Sequence, residues 1–60
     1  MNIITFNNET TIVLNAVELM ILKSTKITFY FSAKSASVDF PTEKEAEKNF
    51  EEIKEMLRLL

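Results

Sequence analysis

The fold is decided by residues 42–60, TEKEAEKNFEEIKEMLRLL, which have the pattern of one amphipathic helix. Apolar side chains recur at spacings of three and four residues, so they share one stripe of the helix, while the charged side chains lie opposite. This pattern predicts a helix over about 43–60 that must bury one face. The predicted stripe consists of Ala46, Phe50, Ile53, Leu57 and Leu60, and Met56 widens it toward the C-terminal end.

The start of this helix is also encoded. Thr42 and Glu45 fit a capping box, in which the Thr42 hydroxyl accepts from the Glu45 N–H and the Glu45 carboxylate reaches back to the Thr42 N–H. Pro41 lies just before the cap, where it breaks no helical hydrogen bond. We therefore expect the helix to begin directly after Thr42.

The charged face of the helix has the composition of a solvated surface. Glu51 with Lys54 and Glu55 with Arg58 are i,i+3 pairs, each worth about 0.2–0.5 kcal/mol. Glu47, Glu51 and Glu55 align at i,i+4, where like charges repel and weak divalent-cation binding is conceivable. Such a row is far more often solvated surface than a metal site.

Composition limits the classes of protein that this chain can represent. Its 60 residues allow one domain, residues 1–60, with the sheet over about 1–40. A chain this short buries little surface, and the absence of Cys and His removes disulfides and the usual zinc ligands. Oligomerisation is the remaining common source of stability. No targeting or membrane-spanning segment is evident, so we expect a cytoplasmic protein.

The strands are predicted from alternation of apolar and polar residues. Residues 26–32 alternate most clearly, residues 36–40 repeat the pattern, and the intervening residues make a turn. Residues 1–6 read as a first strand that ends at Asn7-Asn8, because Asn tolerates positive φ.

Residues 10–23 are ambiguous. Thr11, Asn15 and Glu18 could mark the polar edge of a helix, whereas several β-branched residues and the lack of a cap favour strand. We expect strand, with a bend or bulge at Asn15-Ala16. One bent strand, two strands and a helix all remain open.

The segment before Lys23 is apolar on both strand faces, which predicts an oligomer. We expect Leu19 and Ile21 to face the core, which leaves Met20 and Leu22 without cover, because a helix covers only one face of a small sheet. A second copy of the chain is the simplest cover. The predicted dimer or partner interface consists of Met20, Leu22, Met56 and Leu60.

Together these patterns predict an α+β fold with order ββββα, in which a four-stranded antiparallel meander precedes one C-terminal helix. The helix stripe should pack on the apolar face of the sheet. The predicted core consists of Ile4, Phe6, Leu19, Ile21, Ile27, Phe29, Phe31, Val38, Phe40, Ala46, Phe50, Ile53 and Leu57.

Catalysis has little support in the sequence. Without His or Cys, a base or nucleophile must come from other residue types. Asp39, Tyr30 and Ser37 share one predicted strand face, but a solvated polar face is the common interpretation of such a group. We therefore predict a non-enzymatic protein with no cofactor, no metal site and no catalytic residues.

Nucleic-acid binding is the alternative hypothesis. Lys23, Lys26 and Lys34 could meet phosphate, and Tyr30 could stack on a base. Three acidic residues balance these lysines before the helix, and the whole chain carries a net charge of −2. This balance argues against strong electrostatic binding to phosphate.

Two resemblances bear on the fold. The run from Val38 to Ala46, followed by Phe50, Ile53 and Leu57, resembles an ending that recurs in small uncharacterised bacterial and phage-borne proteins. The similarity extends over roughly residues 17–60 and implies an antiparallel sheet with one C-terminal helix, but no assigned activity. The order of four strands and a helix also resembles the PC4-like single-stranded DNA-binding fold. Members of that fold dimerise through the helix and bind DNA with basic and aromatic residues. Basic residues are sparse in this chain, so only the topology carries over here.

The sequence therefore favours a small interaction module that acts as a homodimer and binds a protein partner. The alternative is a weak single-stranded nucleic-acid-binding protein of PC4-like topology.

Overall fold

The chain has an α+β fold of five strands and one C-terminal helix, seen in a computed structural model that describes residues 2–60. The helix is not long and apolar enough to cross a membrane. The elements are β1 (Ile3–Phe6), β2 (Thr10–Val13), β3 (Leu19–Lys23), β4 (Lys26–Tyr30), β5 (Ser35–Asp39) and α1 (Glu43–Arg58).

The strands form two antiparallel sheets. One contains β1 and β2, and the other has the order β3-β4-β5. The helix lies over β3 and β4. The β1–β2 hairpin reaches the same inner face of the larger sheet, because the Phe6 ring lies 6.1 Å from the Phe29 ring and 5.8 Å from the Phe40 ring. The α+β class is confirmed, whereas the single four-stranded meander is corrected to five strands in two sheets.

The extra strand arises because residues 10–23 are interrupted. A single 3-10 turn, Leu14–Ala16, separates β2 from β3. Asn2 holds this turn, since its carbonyl accepts from the Leu14 N–H at 2.8 Å and its own N–H donates to Asn15 Oδ1 at 3.2 Å. Of the three alternatives, two strands is therefore correct. The predicted first strand began at Met1, which lies outside the described residues.

Tight turns without glycine join the strands. Asn7 and Asn8 have φ of 52° and 57°, and the Glu9 N–H donates to the Phe6 carbonyl at 2.9 Å. Ser24 has φ of 58° in the β3–β4 turn. The predicted Asn7-Asn8 turn is confirmed, and Ser24 takes a conformation that costs most residues free energy.

The helix matches its prediction closely. Thr42 is the N-cap, and its Oγ1 accepts from the Glu45 N–H at 3.1 Å. Among residues 2–60 the reciprocal bond from the Thr42 N–H to the Glu45 carboxylate is absent. Lys54 bonds Glu51 at 3.1 Å, and Arg58 pairs with Glu55. All four ion-pair partners are exposed, so these bonds contribute little to stability.

The core lies between the larger sheet, the hairpin and the helix. Six of its predicted members are buried and five more are half-buried against them, but Leu19 and Ile21 are exposed. Ile12 and Leu14 are buried core residues that the prediction omitted. The buried apolar residues are Phe6, Ile12, Leu14, Ile27, Phe29, Val38, Ala46 and Ile53.

The faces of β3 are the reverse of the prediction. The two-residue turn pairs Lys23 with Lys26, and this register places Met20 opposite Phe29. Leu22 likewise lies opposite Ile27. Directly opposed residues lie on the same face of an antiparallel sheet. Met20 and Leu22 therefore lie on the inner face, because their partners on β4 are buried there.

Candidate interaction surface

The larger sheet has an uncovered side, here named the outer sheet face. The helix and the hairpin both lie on the inner side, so no described element covers this one. Cross-strand register arranges it as a grid of three rows. The rows are Leu19, Tyr30 and Ser35; Ile21, Thr28 and Ser37; and Lys23, Lys26 and Asp39.

One corner of the outer sheet face is apolar. Leu19 is 53% exposed, Ile21 42% and Tyr30 39%. Leu19 lies directly opposite Tyr30, and Ile21 is two residues along the same face of β3. These three side chains therefore form a contiguous apolar cluster at the β3 side of the sheet, the kind of exposed patch that marks an interaction surface.

The rest of the outer sheet face is polar and weakly positive. Thr28 Oγ1 and Ser37 Oγ share a hydrogen bond of 3.1 Å across β4 and β5. Lys26 has Lys23 on one side and Asp39 on the other. Both ion pairs found among residues 2–60 belong to the helix, so neither lysine is neutralised by Asp39.

A second apolar surface surrounds the C-terminal end of α1. We name it the helix-end patch and define it as Ile3, Met56, Leu59 and Leu60. Leu59 is 78% exposed. An open cleft of about 280 Å³ runs along this patch over Leu14. A neighbouring cleft of about 360 Å³ shares Leu14 and Leu60 with it and continues to the start of β3. Exposed apolar surface therefore runs from the helix end to the edge of the larger sheet.

The four predicted interface residues fall into two groups. Met56 and Leu60 are exposed in the helix-end patch. Met20 and Leu22 are half-buried against the core cluster. The role of Met20 and Leu22 at an interface stays a prediction. The apolar side chains on the uncovered side of β3 are those of Leu19 and Ile21.

Three of the four predicted nucleic-acid contacts are brought together. Lys23, Lys26 and Tyr30 line one open concavity on the outer sheet face, together with Thr28. Lys34 lies apart from them, in the turn between β4 and β5, where its carbonyl accepts from the Phe31 N–H at 2.8 Å. The concavity therefore combines two cations with one aromatic ring, and the Asp39 carboxylate lines it as well.

The group considered for catalysis does not converge. Tyr30 pairs with Ser35 in one outer row, whereas Asp39 pairs with Lys26 in the opposite outer row. Four residues of strand separate the rows, a distance of roughly 13 Å. Among residues 2–60 no group of three or more His, Cys, Asp or Glu side chains is placed to hold a metal ion, and this includes the glutamates of α1.

Leu19 and Ile21 are the exposed apolar residues that the sequence prediction assigned to the core. A signal for their exposure was present, because a two-residue turn at Ser24-Thr25 fixes which β3 residues share a face with Ile27 and Phe29. Comparison of the chain with protein-family models, curated proteins and solved structures finds no match. Function must therefore be argued from these surfaces.

Proposed function

We propose that this protein is a non-enzymatic interaction module that forms a homodimer through apolar surface on β3 and presents its remaining surface to a protein partner. The observation that carries the proposal is that β3 is apolar on both sides while the fold covers only one. Leu19 and Ile21 remain exposed although the inner side of the same strand packs on the core.

The size of the chain supports self-association. Stable dimers bury on the order of 800 Å² per partner. This is about a fifth of the 4412 Å² that the described residues expose. This additional buried surface is large for a small domain, because its own core gives only marginal stability. A net charge of −2 sets only weak repulsion between two copies.

The proposal is tested by placing a charge at the centre of the apolar cluster. Ile21→Lys should shift the monomer–dimer equilibrium toward monomer by roughly tenfold or more, because a charged ammonium would replace an apolar contact at the interface. The matched control is Ser37→Lys, which adds the same charge in the same row of the outer sheet face. Sedimentation equilibrium measures both. Equal dimer constants for Ile21→Lys and the unaltered chain would exclude β3 from the interface.

A second function has a specific observation in its favour. Lys23, Lys26 and Tyr30 line one open concavity, which is the combination of cations and a stacking ring that single-stranded nucleic acid requires. Few phosphate contacts are available there, so binding should be weak and its affinity should fall only moderately with salt.

Titration of a fluorescent oligothymidylate separates the two functions. If the concavity binds nucleic acid, Lys26→Glu should abolish binding, Lys34→Glu should weaken it less, and Lys48→Glu on the helix should leave it nearly unchanged. The affinity of the unaltered chain should drop about tenfold or more between 50 and 200 mM salt. Absence of binding at low salt would remove this alternative and leave the protein-interaction module.

A further inference from the structure

The larger sheet has two open edges, and the hydrogen-bond pattern shows which residues face each edge. The Thr25 carbonyl accepts from the Phe40 N–H at 2.8 Å, and the Phe31 N–H donates to the Lys34 carbonyl. Odd-numbered backbone groups at both ends of β4 are thus directed toward β5. The Tyr30 carbonyl accepts from the Glu18 N–H at 2.8 Å, so even-numbered groups are directed toward β3.

This alternation identifies the free backbone groups on β3. Its residues 19, 21 and 23 are register partners of even-numbered β4 residues and are bonded inward. The N–H and C=O groups of Met20 and Leu22 consequently point away from the sheet. On β5 the same argument directs the backbone groups of Ser35, Ser37 and Asp39 outward.

The two edges differ in their protection against pairing. Native edge strands are usually blunted by charges, proline, bulges or polar side chains. β5 alternates Ser, Ala, Ser, Val and Asp, and its outward residues are polar. β3 reads LMILK and has no charge before Lys23 and no proline. Only β3 is therefore an unprotected apolar edge.

We propose that β3 pairs antiparallel with β3 of a second copy, so that two three-stranded sheets join into one continuous six-stranded sheet. This inference rests on the proposed self-association and specifies its geometry. The two-fold axis is perpendicular to the sheet and passes beside Ile21, which keeps both helices on the same side.

β3 is complementary to itself in this register. Met20 of each copy faces Leu22 of the other as a hydrogen-bonded pair, and the two Ile21 side chains meet at the closer, non-hydrogen-bonded position. The two Lys23 side chains lie at opposite ends of the paired strands, roughly 14 Å apart, beyond the Debye length at physiological salt. Every cross-strand contact at the centre is apolar, and the like charges are kept apart.

The helices also fit this arrangement. Strands are spaced by about 4.8 Å, and α1 lies over β3 and β4. Its axis is therefore about one strand spacing from the two-fold axis, so the two helices lie roughly 10 Å apart, which is a normal packing distance. Leu57 and Leu60 border the cleft between α1 and the start of β3, and both side chains would become more buried in the dimer.

Proline at an outward N–H tests edge pairing directly. Met20→Pro removes an amide that makes no bond within the chain's own sheet, and proline is tolerated at such edge positions. It also removes a side chain packed against the core, so Met20→Ala, which keeps the amide, is the packing control. We expect the dimer dissociation constant to rise roughly tenfold or more, because each copy loses a hydrogen bond to the other. Ser37→Pro makes the matched change on the β5 edge and should leave the constant within about twofold.

Amide hydrogen exchange gives a second measurement that requires no variant. Raising the concentration of the unaltered chain should slow exchange at Met20 and Leu22, while Ser35 and Ser37 should not change. A dimer that resists Met20→Pro and shows no such protection, yet is disrupted by Ile21→Lys, would overturn edge pairing in favour of face-to-face contact. A chain that stays monomeric would overturn the proposed function as well.

Discussion

Ile27 is fully buried, whereas Ile21 leaves 42% of its surface exposed. The two residues have the same side chain and lie on neighbouring strands. Their difference follows from the turn at Ser24-Thr25, which pairs Ile21 with Thr28 and Ile27 with Leu22. One two-residue turn thus decides which isoleucine stabilises the fold and which remains available for a partner.

Conservative truncation should separate these two isoleucines. Ile27→Val should lower the free energy of unfolding by about 0.5–1.5 kcal/mol, because it removes a methylene from a packed site. Ile21→Val should change it by less than about 0.5 kcal/mol when measured on dilute protein. Urea unfolding followed by circular dichroism measures both. A larger loss for Ile21→Val would mean that the register is wrong.

The helix cap provides another test at single-residue scale. Thr42→Ala should destabilise the chain by about 0.5–2 kcal/mol, since the Glu45 N–H loses its acceptor. Thr42→Ser keeps the hydroxyl and should recover most of this free energy. Thermal melts of the unaltered chain and both variants measure these differences. If Thr42→Ser were as unstable as Thr42→Ala, the hydroxyl would not be the group through which Thr42 stabilises the helix.

At the scale of elements, the β3–β4 turn is under strain that another residue could relieve. Ser24 has φ of 58°, a region where a side chain clashes with the backbone and glycine does not. The chain has no glycine to place there. The turn nevertheless forms, because the strands on either side of it bury Met20, Leu22, Ile27 and Phe29.

Ser24→Gly should therefore stabilise the protein by about 0.5–1 kcal/mol. Thr25→Gly serves as its control, because Thr25 has no positive φ and glycine there should only add freedom to the unfolded chain. Chemical denaturation of both variants is the measurement. Stabilisation by the Thr25 change and not by the Ser24 change would contradict the assigned turn.

The elements differed in how far the sequence could predict them. The start of the helix was predictable because its stripe, its cap and its first-turn acids all indicate it, whereas the helix ends at Arg58, two residues before the predicted end. The prediction for the faces of β3 was wrong, because Leu-Met-Ile-Leu is apolar at every position and its periodicity identifies no inner side. A bend was predicted at Asn15-Ala16, but its form as a 3-10 turn over Leu14–Ala16 depends on hydrogen bonds with Asn2, which is distant in sequence.

At the scale of the whole molecule, the candidate site follows from incomplete cover. One helix and one hairpin occupy a single side of the larger sheet, so its other side and the end of the helix retain apolar surface. The sequence predicted that a surplus of apolar surface would exist, because both sides of β3 are apolar. The prediction located the exposed Met56 and Leu60 at the helix end but chose the wrong side of β3, which depends on the register of two strands.

Self-association that depends on apolar contacts should respond weakly to salt. The dimer constant should change by less than about threefold between 50 and 500 mM sodium chloride, because the proposed interface contains no ion pair. A steep rise in dissociation with salt, measured by sedimentation equilibrium, would indicate that charged groups such as Lys23 and Asp39 hold the copies together instead.

The most direct test of self-association through β3 is the absolute mass of the protein in solution, from light scattering on a sizing column over a concentration series. We expect a mass that approaches twice the 6.9 kDa of the chain as concentration rises, and that stays near 6.9 kDa for Ile21→Lys. A mass of 6.9 kDa for the unaltered chain at every concentration would contradict it.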